Sequence, residues 1–155
     1  FYGPSIKNTS MMTELILNNL YAGKKANWLA SDKFKHSFTY TPDAAKATTI
    51  LGNTESAYNQ VWHLPTAANP LTGKQLIELS AKEMGVKPKT QIATKFIVRI
   101  MGLFMPIMKE LVEMLYQYDR DYVFDSSKFE KEFDFAPTSY EQGIKNIIAI
   151  DYPKK

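Results

Sequence analysis

His36-Ser37-Phe38-Thr39-Tyr40-Thr41-Pro42-Asp43-Ala44-Ala45-Lys46-Ala47 is the stretch that decides the fold. From Phe34 to Thr41 the residues alternate. Phe34, His36, Phe38 and Tyr40 fall on one side, and Lys35, Ser37, Thr39 and Thr41 on the other, the period of a half-buried strand. Pro42 then sits where the first turn of a helix accepts it, and the helix runs from Asp43 to about Leu51 before Gly52-Asn53 stops it.

Upstream, Ser10 reads as an N-cap for a helix. Met11, Leu15, Ile16, Asn19 and Leu20 recur in it at helical spacing, and Gly23 closes it. Ala26 to Ala30 suits a short strand. Downstream, Gln60 to Leu64 reads as another short strand ending at Pro65, and 65–70 as loop. Thr72 caps a helix from Gly73 to Met84. Its inward stripe is Leu76, Ile77, Leu79, Ala81 and Met84, and Gly85 follows as its C-terminal stop. Lys87 to Thr90 reads as a polar connector to a long helical region, Thr94 to Tyr118, bent near Pro106. Short helices around Ser127 to Phe133 and from Ser139 to Ile150 end the chain. With no repeat and no linker, residues 1–155 are expected to form one lobe of α+β class.

Composition excludes several functions. The chain is 45% hydrophobic and 23% charged, as in globular proteins. Its net charge of +3 comes from 19 basic and 16 acidic residues, and Arg99 and Arg120 are the only arginines, so bidentate phosphate recognition has few candidates. A small scattered excess does not argue for nucleic acid. Without cysteine there is no disulfide framework or thiolate site, which fits a cytoplasmic location. The most apolar stretch, Phe96 to Met108, contains Arg99, Gly102 and Pro106 and falls short of the ~20 residues of a bilayer span. No membrane partner is expected, and the stretch is read as a lid, a dimer contact or core.

The seven glycines, at 3, 23, 52, 73, 85, 102 and 143, never cluster, so no dinucleotide or phosphate loop is present. Tyr21-Ala22-Gly23-Lys24-Lys25 has a Tyr-x-x-x-Lys spacing, but chance alone predicts about one such match in this composition. Gly23 would also end the helix between the two side chains, so the spacing is read as coincidence. His36 and His63, the only histidines, have no second ligand at metal spacing. Asp119, Asp121 and Asp125 lack the glycine and closing Glu of a calcium loop. No metal and no catalytic residue is expected on this chain.

Several blocks together resemble the C-terminal, substrate-binding half of the NAD-dependent epimerase/dehydratase family, the extended short-chain dehydrogenases/reductases. Phe1-Tyr2-Gly3-Pro4 is similar to the aromatic-Gly-Pro turn after the sixth Rossmann strand. The 36–47 block resembles Arg-Asp-Phe-Val-Tyr-Val-Asp-Asp-Val-Ala-Arg-Ala, and Gln60 to Pro65 falls where the family has a Val-Tyr-Asn-Leu strand. Thr72 to Gly85 looks like the following helix. Asp125 to Lys128 and Phe135-Ala136-Pro137-Thr138 resemble the family's ending, with Tyr140 to Ile144 in its last helix.

The resemblance implies a parent enzyme whose N-terminal Rossmann half, absent here, carries the glycine loop and the catalytic Tyr/Lys pair. NAD or NADP would bind the parent and not this chain alone. The resemblance places Tyr2, Gly3 and Pro4 beside the chemistry, with Tyr2 and Pro4 also touching the cofactor, and puts Asn8, Ser10, His36 and Tyr40 against substrate. His36 stands where the family often has a phosphate-gripping Arg, which points to a smaller or uncharged hydroxy or keto substrate. Pro42 replaces the first Asp of the family pair, while Asp43 matches the second and has a structural reading at the helix N-terminus.

Plain packing readings stand beside these. Tyr2, Phe38 and Tyr40 read equally as core aromatics, Trp62 as packed on a helix, and for His36 both readings stay open. The chain is thus read as an incomplete epimerase, dehydratase or reductase, with the missing Rossmann half, a small-molecule substrate and a homodimer as its expected partners. The alternative is a stand-alone, non-catalytic binding or interaction module built on the same lobe.

Overall fold

The structure, a computed structural model, describes residues 1–6, 10–104 and 106–153. The first helix, α1, begins as a π-helical run, Met12–Leu17, and continues as an α-helical turn, Asn18–Tyr21. The wider π turn rotates its inward face. Met12, Thr13, Ile16, Leu17 and Leu20 are buried, whereas Met11 of the expected stripe is exposed. Ser10 is not its side-chain cap, because its hydroxyl donates to the Phe1 carbonyl at 2.9 Å. Gly23, at φ 72°, then turns the chain in the left-handed region.

Strand β1, Ala26–Leu29, pairs in parallel with β2, Thr90–Ala93. β2 begins on the last residue of the expected connector, Thr90, and ends just before the expected start of the helical region at Thr94. Its residues are exposed or half-buried and show no alternation, so pairing with β1 rather than any local pattern makes it a strand. The expected strand over 60–64 has no ladder partner among the described residues and is irregular. The 34–41 segment keeps its alternation of burial but not a continuous ladder. Single bridges join Lys35 to Thr72, His36 to Tyr122 and Tyr40 to Tyr2.

Helix α2, Thr41–Gly52, carries Pro42 in its first turn as expected, and buried Asp43 ties it to Thr138 near the end of the chain. The Asp43 carboxylate accepts from the Thr138 N–H at 2.7 Å and the Thr138 hydroxyl at 3.0 Å. Helix α3, Gly73–Met84, has a complete capping box between Thr72 and Gln75 and ends on left-handed Gly85. Its first residue must be glycine-sized, since a Cβ there would lie 2.4 Å from the Trp28 ring of β1.

The long helical region is two helices. α4, Lys95–Gly102, and α5, Pro106–Met114, pack on each other, and a 3-10 turn, Leu115–Tyr118, follows. Proline at the head of α5 accounts for the break, since its ring cannot sit in the middle of a continuous helix. The chain ends with α6, Ser127–Glu132, and α7, Tyr140–Asp151, the latter capped by the Ser139 hydroxyl. Trp62 packs on α6 through Phe129 and Phe133, with the Lys128 ammonium 3.9 Å from its ring centre. The main core lies between α1, α3 and α7 and takes in Tyr2, Trp28, Phe38 and Tyr40.

Candidate functional site

The N-terminal turn is laid alongside the 36–41 segment by backbone bonds. The Tyr2 N–H donates to Thr39 at 3.0 Å and the Thr41 N–H donates back to Tyr2 at 2.8 Å. Gly3 permits this approach, because a Cβ there would lie 1.8 Å from Thr41 Oγ1. Pro4 is half-buried beside it. Ser5 takes a left-handed φ of 61°, and its N–H donates to the Asp151 carboxylate at 2.8 Å, fastening the turn to the end of α7. Ser10 joins from the other side through its bond to Phe1. Asn8 lies outside the described residues.

Two aromatic clusters meet on this segment. In the first, the Tyr2 ring is 1% exposed, stacks on Tyr140 at 5.6 Å and tilts against Tyr40 at 5.3 Å. A Cβ on Gly143 of α7 would fall 2.6 Å from the Tyr2 hydroxyl, so the ring is seated directly on that glycine. The Tyr2 hydroxyl is buried and has no hydrogen-bond partner. Burial, then the nearby Tyr140 and Asp43, raises its pKa far above the ordinary phenol value. The Tyr40 hydroxyl instead accepts from the Asn146 amide at 3.2 Å.

In the second cluster, His36 is stacked on Phe38 at 4.5 Å and on Tyr118 at 4.8 Å, with Tyr122 at 5.4 Å. Its Nδ1 lies 2.9 Å from the Ser37 carbonyl, which can only accept, so Nδ1 carries the proton. Burial holds the His36 pKa below its ordinary value, so the ring is neutral near pH 7. Nε2 is then a bare acceptor, buried and without a partner. Phe38 links the clusters. Its ring packs on His36, and its N–H donates to the Tyr140 hydroxyl at 2.8 Å.

The structure therefore brings Tyr2, Gly3 and Tyr40 together, sets Pro4 and Ser10 beside them, and buries His36 in the neighbouring aromatic cluster. Sequence reasoning missed Tyr118, Tyr122, Tyr140 and Asn146, which complete both clusters from distant segments. It also missed a buried polar chain on the opposite side of the segment. There Thr39 Oγ1 meets Thr66 Oγ1 at 2.6 Å, Ser126 accepts from the Thr66 N–H at 3.0 Å, and the Ser126 hydroxyl donates to Glu130 at 2.6 Å. A hollow of about 230 Å³ opens beside Thr66, Ser126 and Glu130. A separate groove of about 410 Å³, lined by Tyr21, Met84, Ile148 and Tyr152, touches none of the expected site residues.

The remaining candidates have structural partners. Tyr21 ends its helix and donates to the Pro153 carbonyl at 3.1 Å, with left-handed Gly23 separating it from Lys25. His63 bonds the Asp125 carbonyl at 2.7 Å and stacks on Phe124. Hydrogen bonds from Arg120 and Lys95 hold the Asp119 carboxyl at a pKa of about 2. Asp121 accepts from the Lys35 N–H and Asp125 from the Ser127 N–H, each at 2.9 Å. Among the described residues no group of three or more His, Cys, Asp or Glu could hold a metal ion, and no helix is long and apolar enough to cross a membrane.

No protein-family model and no curated protein matches the chain. Solved structures do. UDP-glucuronic acid 4-epimerase from Bacillus cereus in complex with NAD is 14% identical with a TM-score of 0.68, covering 96% of this chain and 41% of its own. dTDP-glucose 4,6-dehydratase from Bacillus anthracis in complex with NAD is 17% identical with a TM-score of 0.70, covering 96% of this chain and 40% of its own. RMD from Pseudomonas aeruginosa complexed with NADPH is 14% identical with a TM-score of 0.66, covering 96% of this chain and 44% of its own. At these identities the likeness is one of fold, and the chain spans about two-fifths of the length of the structures it matches. The chain has the fold of a lobe of the NAD-dependent epimerases and dehydratases, the extended short-chain dehydrogenase/reductase architecture.

Proposed function

We propose that this chain is the substrate-binding lobe of an NAD(P)-dependent epimerase, dehydratase or reductase and that it is catalytically incomplete alone. The observation that carries the reading is the match of nearly the whole chain to about two-fifths of enzymes solved with NAD or NADPH. The ordered blocks at 1–4, 36–47, 72–85 and 125–144 support it independently. The chain's scattered glycines offer no cradle for a dinucleotide, so the cofactor would be held by a Rossmann lobe, where it would supply the hydride. The acid/base pair would come from that lobe too.

What this chain would contribute is a rigid wall. Tyr2, Gly3 and Pro4 would border the reacting region, with half-buried Pro4 presenting an apolar edge to the nicotinamide and the buried Tyr2 ring holding that turn in place from behind. Asn8, Ser10 and Tyr40 would line the substrate side. His36, buried and neutral, leaves no fixed cation where a phosphate would need one, which favours a hydroxyl-bearing, uncharged group over a phosphate at that point. A cytoplasmic location and a homodimer belong to the same reading.

The test is the size of the protein in its source cells, by immunoblot with antibody to this chain. A band at roughly twice the 17.7 kDa mass or more is expected for a two-lobed enzyme. A band at 17.7 kDa would sink the enzyme reading and leave a free-standing binding module.

A further inference from the structure

The stretch from Tyr118 to Phe124 runs as a strap from the end of the α4–α5 pair toward α6, laid across residues 35–38. Backbone amides hold it there from both sides. The Lys35 N–H donates to the Asp121 carboxylate at 2.9 Å, and the Ser37 N–H to the Tyr122 carbonyl at 3.0 Å. From the strap, the Tyr122 N–H donates to the Lys35 carbonyl at 2.9 Å and the Phe124 N–H to the Ser37 hydroxyl at 3.0 Å. Helices α4 and α5 reach the rest of the lobe mainly through β2 and the 115–118 turn, so the strap also moors that pair. Of the strap, only Tyr118 belongs to the main core.

His36 is the side chain clamped between strap and segment. Its ring stacks on Phe38 of its own segment and on Tyr118 of the strap, with Tyr122 tilted against it. With the Nδ1 proton committed to the Ser37 carbonyl, Nε2 is the one place a second proton can go. That new N–H would be buried with no acceptor, because Nε2 has no partner. The charged groups on the surrounding elements do not offset it. Lys35 adjoins the ring, Asp119 is held by Lys95 and Arg120, and Asp121 accepts from the Lys35 N–H. On α3 Lys74 pairs with Glu78, on α1 Glu14 accepts from Asn18, and the Phe1 amino group, where it is free, repels a charge. The Ser37 carbonyl and the stacked rings favour the cation, but burial is the larger effect. A proton on the ring is therefore accommodated only when Tyr118 moves off and water reaches Nε2.

We propose that His36 is a pH-sensitive latch, and that protonation at Nε2 releases the 118–124 strap, and with it the near end of the α4–α5 pair, while the core between α1, α3 and α7 stays closed. The latch lies wholly inside this lobe and holds whether or not the lobe belongs to an enzyme.

The test is hydrogen exchange read by mass spectrometry, on the protein at the length the cell makes it. Protection is compared at about pH 7.5 and about pH 5, with each rate corrected for the intrinsic pH dependence of exchange. The released ring titrates near its ordinary pKa of about 6.5, so protection over 33–38 and 118–125 should fall up to about tenfold per pH unit below that value, or up to about thirtyfold at pH 5. Protection over 76–84 in α3 and 143–150 in α7 should stay level. H36F keeps a ring in the clamp with no nitrogen to protonate, and its strap should be equally protected at both pH values. H36Q, smaller and also without a titrating group, gives the same readout should the phenyl ring disturb the packing. Strap protection unchanged at pH 5, or the same acid response in both variants, would overturn the proposal. So would α3 and α7 losing protection in step with the strap, which would make His36 a core residue of a lobe that acid unfolds as a whole.

Discussion

Replacing Gly143 by alanine tests whether the Tyr2 ring is seated on α7 in solution. In an exposed helix interior, Gly→Ala gains about 1 kcal/mol. Here the added methyl would meet the Tyr2 hydroxyl at 2.6 Å and Cε2 at 2.7 Å, well inside van der Waals contact. The ring has little room to retreat, being 1% exposed and held against Tyr140 and Tyr40. Overpacking of this kind costs about 1–3 kcal/mol, and a ring boxed in on several sides belongs at the upper end. After the helix gain is subtracted, G143A should destabilise by about 2 kcal/mol, a fall in Tm of about 4–8 °C for a chain of this size.

The control is the same change beside Tyr2→Leu, which removes the ring atoms that clash. Y2L destabilises by itself, but G143A added to it should be neutral or stabilising by up to about 1 kcal/mol. Urea unfolding followed by intrinsic fluorescence measures all four proteins, provided the slope stays constant through the set. Equal losses from G143A in both backgrounds, or a gain in the parent chain, would refute the seating of the ring. Tyr2 would then be free to reach a ligand, and the proposed substrate wall would have to be redrawn.

Four other outcomes follow from the same contacts. T72A breaks the capping box of α3 and should cost about 1 kcal/mol by urea melt. D43A leaves the Thr138 N–H and hydroxyl without their carboxylate and should cost about 2–3 kcal/mol, with T138V adding little to it, as a thermal-melt double cycle would read. Burial lowers the folded-state pKa of His36, so below the ordinary value of about 6.5 the unfolded chain takes a proton that the native one refuses. Stability should fall on acidification from that point toward the folded pKa, and a pH series of melts should show part of that slope vanish in H36Q. At the alkaline end the signs reverse. Burial raises Tyr118 and Tyr152 to about 12, so the stability they contribute is intact below about pH 10 and drains away toward 12, less steeply in Y118F.

The elements legible in the sequence are those whose signals are local. α3 announces itself through Thr72, Gln75, its apolar stripe and Gly85, and α2 through Pro42-Asp43, since caps and stops act within a few residues of one another. Alternation over 34–41 also placed His36, Phe38 and Tyr40 on the buried side correctly. What failed depends on distant pairing or on backbone choice. Thr90–Ala93 has no alternation to read and becomes a strand only against β1, whereas 60–64 looks like a strand and finds no partner. The π start of α1 moves its buried face by a residue, which no 3.6-residue template detects.

The site divides along the same line, and the division bears on function. The sequence offers Tyr2, Tyr40 and His36 as polar groups near a substrate, but their surroundings depend on residues 82 to 138 positions away. Asn146 satisfies the Tyr40 hydroxyl, and the Tyr2 and His36 rings are boxed by Tyr140 and Tyr118. Of these three, Tyr2 and His36 each keep a buried polar atom unpaired. An unpaired buried hydroxyl costs about 1–3 kcal/mol, a penalty that plain packing would avoid with phenylalanine. Y2F should therefore hold or raise stability by up to about 1 kcal/mol in a urea melt. If it also leaves substrate turnover by the assembled enzyme unchanged, the hydroxyl serves neither the core nor the ligand, and the substrate wall contracts to His36, Tyr40 and the backbone of the turn. If turnover falls while stability holds, the Tyr2 ring must leave its seat on Gly143 to bring that oxygen to the ligand.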